Sequence, residues 1–126
     1  MKKQGLAECV HKKDIANLYG AIKVLCDMNR LKIICLLFEG EKCVCDIEEQ
    51  VLISQPLASH HLSVLREAGL VLVRREATWS YYSLNREAIE NLNKLFARVL
   101  GSERFPEGYP KRDECDDQIE KAHLKG

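Results

Sequence analysis

From Lys12 the apolar residues Ile15, Leu18, Tyr19, Ile22, Leu25 and Cys26 recur at the spacing of one helical face. Asp27-Met28-Asn29 interrupts this pattern. A second helix is predicted over Arg30 to Phe38, with Leu31, Ile34, Cys35, Leu37 and Phe38 turned inward and Gly40 at its C-terminal end. Cys26 and Cys35 fall on these apolar stripes and are read as small buried hydrophobes. A short helix is expected over Asp46 to Val51. Ser54 is then a good N-cap for a helix over Gln55 to Ala68, Pro56 lies near its first turn, where a missing N–H costs nothing, and Gly69 ends it. Leu70 to Val73 and Tyr81 to Leu84 have strand character, with Arg74 to Ser80 connecting them as a hairpin. A last amphipathic helix over Arg86 to Leu100 carries Ile89, Leu92, Leu95, Phe96 and Val99 on one side. The order ααααββα is that of a mainly α fold with a β-hairpin wing, a winged helix–turn–helix.

The chain of 126 residues is long enough for one core, so residues 12–100 are read as a single domain between a mobile arm (1–11) and a flexible charged tail (101–126). Lysine plus arginine equals aspartate plus glutamate, 19 each, so any attraction to nucleic acid has to be local. The opening MKKQGLAECVHKKD has no apolar run of signal-peptide type and no stretch is long enough to span a membrane, which predicts a cytoplasmic protein. In that reducing compartment six cysteines (9, 26, 35, 43, 45 and 115) point to metal binding, redox chemistry or burial rather than a disulfide framework. No Gly-rich phosphate loop, paired-carboxylate pocket or nucleophile beside a base supports an enzyme.

Projected as a helix, the segment from Gln55 places Ala58, His61, Leu62 and Leu65 on a core side and Pro56, Ser59, His60 and Ser63 opposite. This second face is short, polar and uncharged, suited to close approach to base edges in the major groove of double-stranded DNA. Ser54 and Gln55 at the helix start, with Ser59, His60 and Ser63, are the candidate DNA-binding residues, and His61 is expected to be a buried structural imidazole. Arg74 and Arg75 in the hairpin are candidates for phosphate or the minor groove. Of Tyr81 and Tyr82, one is expected in the core and the other free to hydrogen-bond.

The motifs CVCDI at 43–47, SQPLASHHLSVLREAGLV at 54–71 and RRE…YYSL ending at Leu84 resemble those of the ArsR/SmtB metal- and metalloid-sensing repressors. The resemblance covers about residues 15–100. It implies a homodimer joined through the first and last helices, binding a palindromic operator and losing DNA affinity when an inducer binds. The chain departs from the family pattern in three places. Ala77-Thr78 stands where the wing tip usually carries Gly-Arg, Leu52 replaces the glycine of the helix–turn–helix turn, and the zinc-binding pattern some members carry on the last helix is missing between Arg86 and Leu100.

Cys43 and Cys45 are the candidate metal ligands. On a regular helix the two would point about 160° apart, so shared binding implies non-helical backbone at the start of this segment. An ion that selects such a state would displace the adjoining DNA-reading helices. As(III) or Sb(III) takes three sulfurs, whereas Cd(II), Pb(II) or Zn(II) takes three or four ligands. Some arsenic-sensing relatives carry a third cysteine where this chain has Glu48. The third ligand is therefore expected from Cys9 in the arm, as in the cadmium/lead-sensing branch, or from Cys115 in the tail; His11 and His123 are weaker candidates. A thiol-redox or persulfide-sensing repressor on the same scaffold is the alternative.

Overall fold

The computed structural model describes residues 11–112. Five α-helices and a three-stranded antiparallel sheet follow in the order α1 Lys12–Leu25, α2 Met28–Leu37, β1 Lys42–Cys43, α3 Val44–Val51, α4 Gln55–Glu67, β2 Val71–Glu76, β3 Trp79–Leu84 and α5 Arg86–Leu100. The winged helix–turn–helix expected from the sequence is the fold observed, with α3 and α4 as its two helices and β2–β3 as the wing.

Side-chain caps fix most of the boundaries. Asp27 does not simply break the first helix. Its carboxylate accepts hydrogen bonds from the amides of Asn29 and Arg30 and starts α2 at Met28, earlier than the apolar pattern predicts. Ser54 caps α4 by accepting from the Leu57 amide, and Asn85 caps α5 by accepting from that of Ala88. The Asn85 amide group also donates to the Gly69 carbonyl, tying the end of α4 to the start of α5.

The core is built from Ile33, Ile34, Leu36 and Leu37 of α2, Ile47 and Val51 of α3, Ala58, Leu62 and Leu65 of α4, and Leu70 and Val71 entering the wing. The phase of α2 differs from expectation. Leu31, Cys35 and Phe38 are exposed, whereas Ile33 and Leu36 are buried. The run LKIICLLF is apolar almost all round, so periodicity alone cannot choose its inner face. Cys26 and Cys35 are both exposed free thiols, not the buried hydrophobes expected. On α1 only Leu18 is buried, and α5 buries no residue fully, although Ile89 and Leu92 pack against the core.

The sheet order is β1-β3-β2. The edge strand β1, only two residues long, was not legible from the hydropathy pattern; it pairs Lys42 with Tyr82 and Cys43 with Tyr81. The hairpin strands are longer than predicted and close through Ala77-Thr78, with Glu76 paired to Trp79, so Arg74 and Arg75 lie inside β2. Residues 101–112, read as the start of a solvated tail, contain a 3-10 turn at Ser102–Arg104, and the Phe105 and Tyr109 rings sit 4.7 Å apart.

The two positions at which the chain lacks an expected glycine are the only non-glycine residues with positive φ among those described: Leu52 at 62° and Ala77 at 54°. A side chain in this region is opposed by its own Cβ at a cost of roughly 1–2 kcal/mol. Leu52 is 86% exposed and makes little packing to offset that. Replacing Leu52 with Gly is expected to raise stability by about 1 kcal/mol, part of the relief being returned as extra unfolded-state entropy. The shift in urea midpoint at unchanged slope measures it, and a destabilised Leu52→Gly chain refutes the strain.

Candidate functional site

Cys43 is the N-cap of α3, with extended backbone (φ −82°, ψ 165°), and Cys45 lies in the first helical turn. The Asp46 amide donates to Cys43 Sγ at 3.4 Å, and the Cys43 amide donates back to Asp46 Oδ2 at 3.4 Å, a reciprocal capping box with sulfur in place of the usual hydroxyl. This arrangement brings the two sulfurs together, and they are joined as a disulfide with Cα atoms 5.4 Å apart. The helix begins at Val44, not at Asp46 as predicted, and the sulfurs meet without unwinding it. Only Cys43 has to leave helical geometry, because a cap residue is extended by definition.

Cys43 Sγ, Cys45 Sγ and an Asp46 carboxylate oxygen lie within 4.8 Å of one another. Cys43 is buried, Cys45 exposed and Asp46 half-buried, so the cluster opens to solvent on one side. Reduced, it offers two soft thiolates and one hard oxygen, an incomplete set that fits a thiophilic ion supplied with a further ligand. Asp46 was quoted within the CVCD motif but not identified as a ligand. The signal that could have found it is the cap spacing C-x-x-D, which returns the third side chain to the first. Cys9, Cys115 and His123 lie outside the described residues; His11 is exposed at the start of α1.

α3 packs against α4, whose two faces are as expected: Ala58, His61, Leu62 and Leu65 are buried, while Gln55, His60 and Ser63 are exposed and Ser59 is half-buried. Gln55 Nε2 donates to Ser59 Oγ at 2.9 Å, joining two candidate base-reading side chains into one polar unit. His61 is the only buried polar residue among those described. Arg30 Nε donates to its Nδ1 at 3.1 Å, Arg30 Nη1 donates to the Val24 carbonyl at 2.9 Å, and His61 Nε2 is 3.8 Å from Asp27 Oδ1. The recognition helix is thereby bolted to the beginning of α2. Burial pushes the His61 imidazole below its ordinary value, outweighing the opposite pull of Asp27. Neither Arg30 nor Asp27 was legible as a support for α4, because the contact to His61 is long-range.

The two wing arginines differ. Arg75 is exposed and donates to Ser80 Oγ at 3.3 Å. Arg74 is occupied: Nε and Nη2 donate to the two Glu41 carboxylate oxygens at 3.1 and 2.7 Å, Nη1 donates to Glu76 Oε2 at 2.5 Å, and the guanidinium stacks on Tyr81 at 4.7 Å. Tyr82, on the other side of β3, packs against the core.

A polar recognition helix on a helix–turn–helix, a β-hairpin wing beside it and a thiol cluster at the start of the preceding helix define a winged helix–turn–helix transcriptional regulator rather than an enzyme. The family model described as bacterial regulatory protein, arsR family, matches residues 27–72. The arsenic resistance transcriptional regulator ArsR1 of Pseudomonas putida is 35% identical over 91 residues, which are 71% of this chain and 71% of that protein. A cadmium resistance transcriptional regulatory protein CadC homolog of Staphylococcus aureus is 40% identical over 80 residues, 63% of this chain and 64% of that protein. Among solved structures, the homodimeric winged helix–turn–helix DNA-binding domain of a possible ArsR-family regulator from Mycobacterium bovis superposes with TM-score 0.53 at 30% identity, covering 89% of this chain and 100% of that one. The chain belongs to the ArsR family of bacterial transcriptional regulators. No helix among the described residues is long and apolar enough to cross a membrane.

Proposed function

We propose that this protein is a homodimeric repressor that binds a palindromic operator and is released when a thiophilic ion closes on Cys43 and Cys45. The observation that carries this reading is the convergence of both sulfurs and Asp46 at the N-terminus of α3, the helix packed against the recognition helix. As(III) or Sb(III) is the favoured inducer, with Cys9 or Cys115 completing a three-sulfur set. Cd(II), Pb(II) or Zn(II) is the alternative, with Cys9 joining Cys43 and Cys45 and Asp46 available as an oxygen ligand in a set of three or four.

Ser54, Gln55, Ser59, His60 and Ser63 read the major groove and Arg75 contacts phosphate, while Arg74 serves the wing from its place on Glu41. Dimerisation covers the apolar side of α1 and α5, where Ile15, Tyr19 and Ile22 are exposed and Leu95 and Phe96 only half-buried. The homodimeric Mycobacterium bovis relative supports this assembly. A role on chromosomal DNA places the protein in the cytoplasm.

A thiol-redox repressor is the second reading, supported by the disulfide that joins Cys43 and Cys45. Operator affinity of the fully reduced protein, measured under argon while arsenite and then Cd(II) are added, separates the two. Release by either ion supports the metal sensor; release by oxidant with no effect of either ion overturns it. Serine at Cys9 and at Cys115, introduced singly, is expected to abolish the ion response for the cysteine that completes the site and to leave it intact for the other.

A further inference from the structure

We propose that Glu41 and Arg74 form a tether that transmits the state of the Cys43/Cys45 site to the wing, so that Arg74 is a positioning residue rather than a DNA contact. This rests on the repressor reading above only for its consequence on DNA; the tether itself is a property of the sheet. The register supplies the first part of the argument. Cys43 is paired with Tyr81, and Tyr81 is paired in turn with Arg74, so the thiol residue and the wing arginine lie on one rung across three strands. A sheet rung is stiff along its hydrogen-bonding direction, and β1 is its edge strand, held by only two residues. What happens to Cys43 is therefore felt at Tyr81.

The side chains repeat the same connection. Glu41 leads into β1, directly before Lys42, and its carboxylate takes both arms of the Arg74 fork, the geometry that gives an arginine–carboxylate pair its directionality. The Arg74 guanidinium lies on the Tyr81 ring and reaches Glu76, and Glu76 faces Trp79 at the tip of the wing. Residues two apart on a strand share a face, so Arg74 with Glu76, and Tyr81 with Trp79, make one continuous surface from the thiol strand to the wing tip. With every Arg74 nitrogen on a carboxylate of its own chain, engaging phosphate would first require breaking these bonds, whereas Arg75 makes no ion pair among the described residues.

An ion held by Cys43 and Cys45 fixes the junction between β1 and α3. Because Glu41 lies just before that junction, the ion alters the distance between Glu41 and Arg74, and the wing tilts against the recognition helix. The tether is a surface pair and adds little to stability, so its removal uncouples the sites without unfolding the domain.

The test uses the full-length reduced chain and its single tryptophan, Trp79, as reporter. Arsenite is titrated into the original chain and into Glu41→Gln, with Trp79 emission, operator affinity and arsenic stoichiometry read together. The expected result is equal arsenic binding and an unchanged melting temperature. The Trp79 response should be lost in Glu41→Gln, and the arsenite-dependent fold-change in operator affinity should shrink by about fivefold or more, the lower end of typical couplings. The exchanged pair, Glu41→Arg with Arg74→Glu, is expected to restore the Trp79 response. Glu41→Gln coupling as strongly as the original chain overturns the tether while leaving the repressor reading in place. If arsenite fails to bind the original chain, the ion reading falls, and the tether is judged with diamide, which takes two hydrogens from Cys43 and Cys45 as they form the disulfide. A Trp79 change on oxidation that Glu41→Gln abolishes supports the tether, and one it preserves, or no change in either chain, overturns it.

Discussion

Replacing Cys43 with Ser is expected to abolish release by arsenite or Cd(II) completely while operator affinity without the ion stays within about twofold, an energy difference under ~0.5 kcal/mol. The reason is the double duty of this residue. As a ligand Cys43 contributes one of only two sulfurs in the described cluster, and a serine hydroxyl does not ionise to replace a thiolate toward a soft ion. As a cap it accepts the Asp46 amide, and serine is a preferred N-cap that makes the same bond with a shorter reach. The substitution thus removes the chemistry and keeps the helix start. Cys43→Ala is the informative contrast: it loses the ion response and also about 1 kcal/mol of stability through the missing cap. Anisotropy of labelled operator with and without arsenite, alongside thermal melts, reads both quantities. A Cys43→Ser protein that still responds to arsenite would refute the site; loss of DNA binding in the reduced, ion-free variant would assign the thiol a structural role instead.

Acidification is expected to weaken folding and operator binding together through His61. The Arg30 Nε–H donates to His61 Nδ1, so that nitrogen carries a lone pair and the imidazole is neutral. Burial lowers its affinity for protons below that of the same histidine in the unfolded chain, whose ordinary value is 6.5. As pH falls through 6.5 the unfolded state takes up the proton first, so stability is lost on the acid side and fully present above it. Protonation also sets an imidazolium against the Arg30 guanidinium, and the bolt between α2 and the recognition helix opens. The measurement is made in a His60→Gln background, so that His61 is the one histidine left on α4. There, His61→Gln is expected to flatten the fall in operator affinity below pH 6.5. His61→Ala strands the Arg30 donor and costs about 1–3 kcal/mol. A His61→Gln chain whose affinity still falls as steeply with acid would show that another group carries the effect.

Both experiments turn on residues whose roles were unequally visible beforehand. The polar and core faces of α4 follow from helical periodicity, because each position is fixed by 100° steps once the cap at Ser54 is known. The CVC pair was legible as chemistry, and the non-helical backbone expected at its start is found at Cys43 alone. A cap residue is extended while the next residues are helical, and that switch at Val44 lets the two sulfurs converge where a regular helix would separate them. The inner face of α2 was misassigned because an all-apolar run has no phase, so Cys35 emerged on the surface. Arg74 was read from the sequence as a candidate DNA contact, and its partner Glu41 lies 33 residues earlier in the chain.

The sequence by itself determined the order of the helices and the two wing strands, the two faces of α4 and the thiol chemistry, since all of these depend on residues within a few positions of one another. Local periodicity, capping and side-chain identity act over a single turn or strand, and a linear reading captures them. Only the tertiary structure decided which helix His61 is bolted to, that β1 joins the thiols to the wing sheet, and that Glu41 holds Arg74. Each is a contact between distant parts of the chain, selected by how the core packs, and no spacing in the sequence encodes it.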